Sequence, residues 1–526
     1  MKIRTLFAAL FFSGSCVAQS LLPPGIQWQC SYGGDTSWGG GKGSDNCRVL
    51  KQTSDGGYII GGESTSDATG NKTSVNYGGS DYWVVKVDAN GNKQWDKSFG
   101  GTNYEYLYSL QQTTDGGYIL GGYSSSGVSG NKTSIRWGGE DYWIVKLDSD
   151  GNKQWEKSFG GTRIDSDYDD LRVVQQTSDG GFILGGVATS GTSVCKTDAG
   201  YGGSDYWIVK TDASGNKQWD KCYGGDGYDD LTSLQQTSDG GFILAGMSYS
   251  GVSGNKTSTN FGGLGDYWIV KTDTNGNIQW QQDYGGSSDD QWPNVLQTSD
   301  GGYIIGGHSS SGVSGNKTSL SFGGNDYWVL KLDSSGKKVW EQSYGGTSDD
   351  YLNSIQQTSD GGYILGGTSS SGISGNKTST NYGGTGDYWV VKIDVNGIKQ
   401  WEESFGGASG DYLSSLQQAN DGGFILGGTS YSSPSGNKTT VYYGNGDYWI
   451  IKLAPPLKIQ SYLFDSTHIF QAHLTGISGT NYVFQASSDL INWTSIATNN
   501  ALNGLLDFSD TNAANFSTRY YRVRQW

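Results

Sequence analysis

Seven carboxylates recur at a constant place in the sequence, each ten residues before the Asp of an Asp-Gly-Gly motif. They are Asp45, Glu105, Asp169, Asp229, Asp290, Asp350 and Asp411. Because Ca²⁺ takes about six to eight oxygen ligands, one hypothesis is a ring of acids that concentrates cations. The alternative is that each carboxylate accepts backbone N–H bonds from a Gly-Gly pair of its own or the next repeat. A feature present in every repeat is usually part of the scaffold, which favours the alternative.

Aromatic side chains stand beside these acids and differ from copy to copy. The candidates for ligand contact are Tyr106, Tyr168, Tyr228, Trp292, Tyr351 and Tyr412, together with His308 at another variable position. Aromatic faces with neighbouring carboxylates suit a carbohydrate, which stacks on a ring and donates its hydroxyl protons to the acids. The alternative is that these rings pack between repeats. The pattern predicts a site for a glycan or a protein, with Ca²⁺ as the one cofactor that it allows.

Sequence motifs of catalysis are missing. The chain contains three His residues and neither a G-x-S-x-G elbow nor an H-E-x-x-H motif. We therefore assign no catalytic residue and expect a binding or surface-interaction protein. Two carboxylates suffice for glycoside hydrolysis, so a glycosidase or lyase is one alternative. A purely structural surface protein is the other.

Composition and charge restrict the class of protein. The 526 residues include 86 Gly and 6 Pro, aromatic residues make up 13%, and the formal net charge is −16. Abundant Trp and Tyr favour strands, and an acidic surface excludes nucleic acid as a partner. We expect an all-β monomer.

The N-terminus has the pattern of a secretory signal. Lys2 and Arg4 precede an apolar run at 6–12, and small residues follow at 16–18. We predict a signal peptide at 1–20, with cleavage after Ala18 or lipidation of Cys16 as the alternatives. The protein is therefore expected to be secreted or attached to the cell surface, without a transmembrane segment.

Three signatures each occur seven times at spacings of 60 to 67 residues: T-x-D-G-G-[YF]-I, D-Y-W, and a Trp followed by [YF]-G-G. Such self-similarity is typical of solenoids and propellers. The second copy predicts strands at 107–113, 118–123, 142–148 and 153–159, joined by Asp-Gly hairpin turns and one long polar loop. Four short antiparallel strands per repeat form one propeller blade.

The ends of the array predict a closed ring. The chain enters with an isolated fourth strand at 26–32 and leaves with three strands at 413–453, and together these complete one blade. We predict a seven-bladed β-propeller over 24–454, closed by pairing of its first and last strands. The long loops all lie on one face (the loop face), where binding usually occurs.

Four cysteines follow the signal peptide. An even number in an exported chain suggests two disulfides. Cys30 and Cys47 fall at the loop-face ends of consecutive strands, and Cys195 and Cys222 fall on the same face of one blade. The pairs Cys30–Cys47 and Cys195–Cys222 are therefore expected, and the alternative is four buried free thiols.

The repeat ends at Pro455-Pro456. Residues 457–526 alternate as short strands, which predicts a small β-sandwich with Trp493 as its core aromatic residue.

Two resemblances accompany these patterns. The repeat "QTSDGGYILGG…DYWIVKLDSDGNKQWEKSFGG" resembles the delta-60, Kelch-like and PQQ-like blade repeats of secreted bacterial propeller proteins over 26–453. The tail "YVFQASSDLINWTSIATN…LLDFSDTNAANFSTRYYRVR" is similar to fibronectin type III-like modules. Neither resemblance carries a catalytic motif, and the cofactor and metal ligands of PQQ enzymes have no counterparts here.

Overall fold

The structure, a computed structural model, describes residues 23–37, 40–161, 167–263, 265–455, 458–464, 469–476, 481–488, 492–502, 504–516 and 519–525. The predicted signal peptide, Cys16 and His468 lie outside the described residues. The described chain is all-β apart from one turn of 3-10 helix, η1 (Ala513–Asn515). Within it, no helix has the length and apolar character needed to cross a membrane.

Seven four-stranded antiparallel sheets follow one another along the repeat region. Their first strands are β2 (Asp45–Gln52), β6 (Glu105–Gln112), β10 (Asp169–Gln176), β14 (Asp229–Gln236), β18 (Asp290–Gln297), β22 (Asp350–Gln357) and β26 (Asp411–Gln418). Their second strands are β3 (Tyr58–Ser64), β7 (Tyr118–Ser124), β11 (Phe182–Ala188), β15 (Phe242–Ser248), β19 (Tyr303–Ser309), β23 (Tyr363–Ser369) and β27 (Phe424–Ser430). Their third strands are β4 (Asp81–Val87), β8 (Asp141–Leu147), β12 (Asp205–Thr211), β16 (Asp266–Thr272), β20 (Asp326–Leu332), β24 (Asp387–Ile393) and β28 (Asp447–Leu453). Their fourth strands are β5 (Lys93–Phe99), β9 (Lys153–Phe159), β13 (Lys217–Tyr223), β17 (Ile278–Tyr284), β21 (Lys338–Tyr344), β25 (Lys399–Phe405) and, in the seventh sheet, β1 (Ile26–Tyr32).

Local sequence explains these strands. The Asp-Gly-Gly motif turns the chain between the first and second strands, and its first glycine has positive φ, 83° at Gly56, a conformation open to residues without a Cβ. The third strand, Asp-Tyr-Trp followed by aliphatic residues, is buried along its whole length in every sheet. Its aromatic and aliphatic residues suit a strand covered on both faces, and its two charged residues, Asp81 and Lys86 in β4, are buried with hydrogen-bond partners.

Consecutive sheets are joined by the Tyr of Asp-Tyr-Trp. Tyr82 Oη in the first sheet donates a hydrogen bond to the Trp143 carbonyl of the second, at 3.0 Å. The equivalent bond from the seventh sheet runs from Tyr448 Oη to the Trp83 carbonyl of the first, at 3.1 Å. The first strands also contact each other in sequence, and β26 contacts β2.

The predicted disulfides are wrong, because all four cysteines of the described chain are free thiols. Cys30 lies on a fourth strand and Cys47 on a first strand, at opposite edges of their sheets. In the other pair, Cys222 Sγ contacts the carbonyl of Asp198, three residues beyond Cys195 in the chain. The prediction compared only how far along its strand each cysteine lies. It did not consider which strands are neighbours in a sheet.

Residues beyond the repeats form two three-stranded sheets. One contains β29 (Lys458–Phe464), β30 (Phe470–Thr475) and β33 (Leu505–Asp510), and the other β31 (Asn481–Ser487), β32 (Thr494–Asn500) and β34 (Tyr520–Gln525). They share one core, in which Phe484 stacks on Phe508 with ring centroids 4.3 Å apart. Trp493 was predicted as the core aromatic residue, but it is half-buried and outside this cluster. It lies just before β32, so strand alternation does not direct it inward.

Candidate functional site

The seven recurring carboxylates are buried at the start of the first strands, each exposed by 1% or less. In every sheet the carboxylate accepts a hydrogen bond from the second N–H of a Gly-Gly pair, for example Gly34 N to Asp45 Oδ2 at 2.8 Å. The same contact is made by Glu105, Asp169, Asp229, Asp290, Asp350 and Asp411. These acids therefore hold the links between sheets and do not face the solvent.

A second buried carboxylate, the Asp of Asp-Tyr-Trp, lies beside each of them. A Cβ added to Gly100 would come within 2.0 Å of Asp81 Oδ1 and 2.6 Å of Glu105 Oε2, so only glycine fits between the two acids. Burial and the nearby Glu105 carboxylate raise the pKa of Asp81 to about 7. The pKa is likewise raised, to about 6 or 7, at Asp141, Asp205, Asp266, Asp326, Asp387 and Asp447.

These shifts predict that the protein melts at a higher temperature at pH 5 than at pH 8. A carboxyl with a raised pKa binds more protons in the folded chain, so stability falls as the pH rises from about 4 to about 7. Asp55 has its pKa lowered to about 2 by the hydrogen bond from Lys86, which outweighs its partial burial, and it affects stability only in more acidic solution. Thermal denaturation from pH 4 to 8 measures the slope, and Asp387→Asn should make it shallower. A melting temperature that rises over this range would contradict the prediction.

Metal ligation finds no support in these pairs. Among the described residues, no group of three or more His, Cys, Asp and Glu side chains could hold a metal ion. Two carboxylates per sheet fall short of the oxygen ligands that Ca²⁺ requires. The residues present therefore do not fit the calcium ring that the sequence allowed.

The predicted aromatic residues lie on the loop face with different exposures. Tyr228 is 58% exposed, Trp292 43% and Tyr412 37%. Tyr106, Tyr168 and Tyr351 are half-buried. The structure thus brings the predicted rings to one face, and part of the set also packs between sheets.

His308 is a buried member of the predicted set. It is 5% exposed and packs edge-on against Tyr351, with ring centroids 4.8 Å apart. Burial lowers the pKa of His308 to about 4, so the imidazole is neutral at physiological pH. The His308 side chain therefore packs against its neighbours on the loop face and carries no charge there.

A cavity of about 170 Å³, which we call the inner cavity, lies between the first strands of the second to sixth sheets. It is lined by Tyr108, Arg172, Thr232, Trp292, Asn294, Leu352 and Asn353. Most of these residues lie about 10 Å along the strands from the buried acids, at about 3.3 Å per residue. The third residue after the acid varies between the sheets, with six residue types at seven positions: Arg48, Tyr108, Arg172, Thr232, Pro293, Asn353 and Ser414.

Two arginines flank Tyr108 at the inner cavity but differ in their charge partners. Arg48 forms a two-pronged ion pair with the buried Glu63, with Nη2 to Oε1 at 2.6 Å and Nε to Oε2 at 3.0 Å. Arg172 Nη2 is 3.3 Å from Asp170 Oδ2, and its guanidinium lies 4.5 Å from the Tyr108 ring centroid. Arg48 is thus neutralised within the protein, whereas Arg172 keeps N–H donors for the cavity.

Trp292 is the one described non-glycine residue with positive φ, 54°. In the other sheets its position is taken by residues that are no more than 1% exposed: Cys47, Leu107, Leu171, Leu231, Leu352 and Leu413. The Trp292 ring instead lies at the cavity, 5.8 Å from the Arg172 guanidinium. Strained backbone of this kind costs about 1–3 kcal/mol and is concentrated at functional sites.

A residue of the fourth sheet also differs from its counterparts in the other repeats, and this difference compensates for the outward position of Trp292. In five of the six other sheets this position is a buried leucine that packs on a glycine of the preceding sheet; a Cβ on Gly185 would be 2.7 Å from Leu231 Cδ2. At the corresponding place before Trp292 the chain has Ala245, which is fully buried. The methyl group of Ala245 fills the space that the leucine occupies in other sheets. Residues of two sheets, Ala245 and Trp292, therefore determine that the Trp292 ring is exposed.

Sequence reasoning named Trp292 but missed Arg48, Tyr108 and Arg172. The available signal was the variation at the third residue after each acid, since scaffold positions repeat and this one does not. Without knowledge of which strand is innermost, that position could not be distinguished from other variable ones.

Comparisons with known proteins do not assign a family. No protein-family model and no curated protein matches the chain. Among similar solved structures, a Dyadobacter fermentans protein of unknown function has 9% identity and a TM-score of 0.41, covering 81% of this chain and 98% of its own. The Neurospora crassa Pan2 WD40 domain has 11% identity and a TM-score of 0.32, covering 61% and 85%. A puromycin hydrolase has 9% identity and a TM-score of 0.36, covering 76% and 54%.

Proposed function

We propose that this chain is an exported binding protein that recognises a glycan on its loop face. Its framework is a closed seven-bladed β-propeller over 24–454, followed by a fibronectin type III-like sandwich over 457–526. Pairing of β1 with β28 and contact of β26 with β2 support the closed ring. The shared core of the two C-terminal sheets supports the sandwich.

The observation that carries the binding role is a group of exposed aromatic rings at the loop-face ends of the first strands. Tyr104 is 53% exposed, Tyr228 58% and Trp292 43%. Exposing large aromatic rings to water is unfavourable in free energy, and such rings are useful where a ligand covers them. Flat rings beside hydrogen-bonding groups match the apolar face and hydroxyl rim of a sugar.

A polysaccharide-active enzyme is the second candidate, and one observation favours it. Burial raises the pKa of Asp170 to about 7, and Glu140, whose pKa is also raised by burial, is its neighbour. A carboxylic acid that holds its proton near neutral pH can act as a general acid. Asp170 also lies beside Arg172, at the inner cavity.

A glycan-array and polysaccharide-binding screen on residues 21–526, with Ca²⁺ and with EDTA, tests the binding role. We expect saturable binding that survives EDTA, because no described carboxylate cluster fits a metal. Tyr104→Ala and Tyr228→Ala should each weaken binding by about 10-fold, the order of one ring contact. Tyr462→Ala removes a ring that is 55% exposed on β29 and should leave binding unchanged.

The same screen separates the candidates. Release of new reducing ends from a bound polysaccharide, abolished by Asp170→Asn, would establish the enzyme. Absence of binding to every glycan would overturn the proposed function and leave a protein ligand or a structural role.

A further inference from the structure

The inner cavity carries a positive group in a strongly acidic protein. The chain has 51 Asp and Glu against 35 Lys and Arg, yet Arg172 lies at the centre of the repeat region with its side chain 19% exposed. The lysine of each third strand is paired with the Asp of an Asp-Gly-Gly turn, as Lys146 is with Asp115 at 2.8 Å. Arg172 forms one longer ion pair, with Asp170, and its guanidinium also contacts the Tyr108 ring.

A planar guanidinium has five N–H donors in a fork that matches the two oxygens of a carboxylate. At Arg172 the plane is held from one side by Tyr108, at 4.5 Å. Arg48 lies on the same Tyr108 ring, at 5.4 Å, with its charge neutralised by Glu63. The fork of Arg172 is thereby oriented before any ligand arrives, which lowers the entropy cost of binding.

Trp292 provides a flat apolar wall 5.8 Å from the same guanidinium. Polar groups complete the lining: Asn353 is exposed to the cavity, and Asn294 Nδ2 is 3.3 Å from the Asn353 carbonyl. The Arg172 guanidinium can bind a carboxylate, the Trp292 ring can contact an apolar face, and the amide groups can bind hydroxyls. Together they fit a sugar ring that has one apolar face, several hydroxyls and one carboxylate. The cavity volume, about 170 Å³, suits one such ring.

We propose that the inner cavity binds a hexuronic acid unit, with its carboxylate on Arg172 and its apolar face on Trp292. This inference rests on the proposed glycan-binding function and specifies its ligand. The exposed tyrosines of the loop face then contact the neighbouring sugars of the same chain. The strained backbone of Trp292 and the compensating Ala245 are explained, because they place the Trp292 ring where it can contact the sugar.

Isothermal titration with short acidic oligosaccharides tests the inference. The probes are trimers of galacturonic acid, of glucuronic acid and of mannuronic acid, each compared with its carboxyl-reduced trimer, which has the same linkage and no charge. Trimers are used because a long polyanion is repelled by the net charge of −16. Benzoate is included as a free aromatic carboxylate. We expect at least one uronate trimer to bind about 10- to 100-fold more tightly than its reduced form, as expected for a charge-assisted contact.

Three variants assign the contacts. Arg172→Met should remove the preference for the acid and leave binding of the reduced trimer unchanged. Arg172→Lys keeps the charge without the fork and should lose about 10-fold in affinity for the acid. Lys337→Met removes the same charge from an exposed turn between β20 and β21 and should have no effect.

The triple variant A245G/W292L/P293N restores the residue types of the sixth sheet and its glycine partner, with Leu352, Asn353 and Gly306 as the template. The leucine can then pack on the glycine, so folding should be preserved while the aromatic wall is lost. We expect about a 10-fold loss for both the acid and the reduced trimer. A thermal melt of each variant confirms that it is folded.

The outcomes separate the two proposals. Equal affinity for acidic and reduced trimers, or an acid preference that persists in Arg172→Met and Arg172→Lys, would overturn the uronate site and leave a neutral-glycan protein. Binding of benzoate alone would replace the sugar with an aromatic carboxylate. Failure to bind any of these trimers would overturn the uronate site, and the proposed function itself would fall only if the glycan-array screen were negative as well.

Discussion

A chain that begins at residue 33, and so lacks β1, should lose at least about 5 kcal/mol of stability. β1 pairs with β28 over six residue pairs, from Ile26 opposite Leu453 to Tyr32 opposite Tyr448. Its removal leaves the outer edge of β28 unpaired in a sheet of three strands. The seventh sheet then has an exposed edge, which closed barrels and propellers avoid.

Side chains of β1 also join the seventh sheet to the first. Tyr32 Oη donates to the Gly91 carbonyl at 2.5 Å, and Trp28 Nε1 donates to the Ala89 carbonyl at 3.1 Å. Both acceptors lie in the turn between the third and fourth strands of the first sheet. Deletion of β1 therefore weakens two sheets at once.

Urea and thermal denaturation measure the loss, with residues 23–526 as the control because that chain keeps β1. A peptide of residues 24–33 added in trans should restore part of the melting temperature. If the shortened chain were as stable as the control, the ring would not depend on this pairing and the closed propeller would be wrong.

Lys256→Met should destabilise the protein by about 3–5 kcal/mol, the cost of leaving one buried charge without its partner. Lys256 Nζ and Asp283 Oδ2 are 2.5 Å apart, with side chains exposed by 0% and 1%. Methionine keeps the length of the lysine and removes its charge. The Asp283 carboxylate would then remain in a site that excludes water.

The chain supplies a matched control for this pair. Most other sheets have serine where Asp283 stands, and there the lysine donates to the hydroxyl, as Lys317 Nζ does to Ser343 Oγ at 3.1 Å. Asp283→Ser should therefore cost less than about 1 kcal/mol. The double variant K256M/D283S should be more stable than Lys256→Met alone, since it leaves no unpaired carboxylate. Equal losses in all three variants would show that packing, and not charge, sets the effect.

Strand positions were largely readable from the sequence. In the second copy the predicted fourth strand, 153–159, coincides with β9, and the second and third strands differ from β7 and β8 by one residue. Turn chemistry explains this accuracy, because Asp-Gly and Asn-Gly determine where a hairpin reverses, independently of distant residues. The first strand was predicted two residues late, since β6 begins at the buried Glu105.

The candidate site could be predicted only in part from the sequence. For the repeated carboxylates the sequence left open a cation-binding ring but favoured acceptance of Gly-Gly N–H bonds, and in the structure these acids are buried against Gly-Gly links. The distinction depends on close approach between sheets, which involves residues from different repeats. The expected Cys30–Cys47 disulfide failed for a related reason, because strand order across a sheet decides whether two cysteines on strands meet.

The sequence alone determined the seven repeats, the four strands in each and the face that carries the long loops, because these follow from local turn geometry and periodicity. The tertiary structure alone decided which of the single variations came together. Arg172 and Trp292 are 120 residues apart in the printed sequence and belong to non-adjacent sheets. Their guanidinium and indole lie 5.8 Å apart because strands from five sheets surround one cavity, and no local pattern encodes that distance.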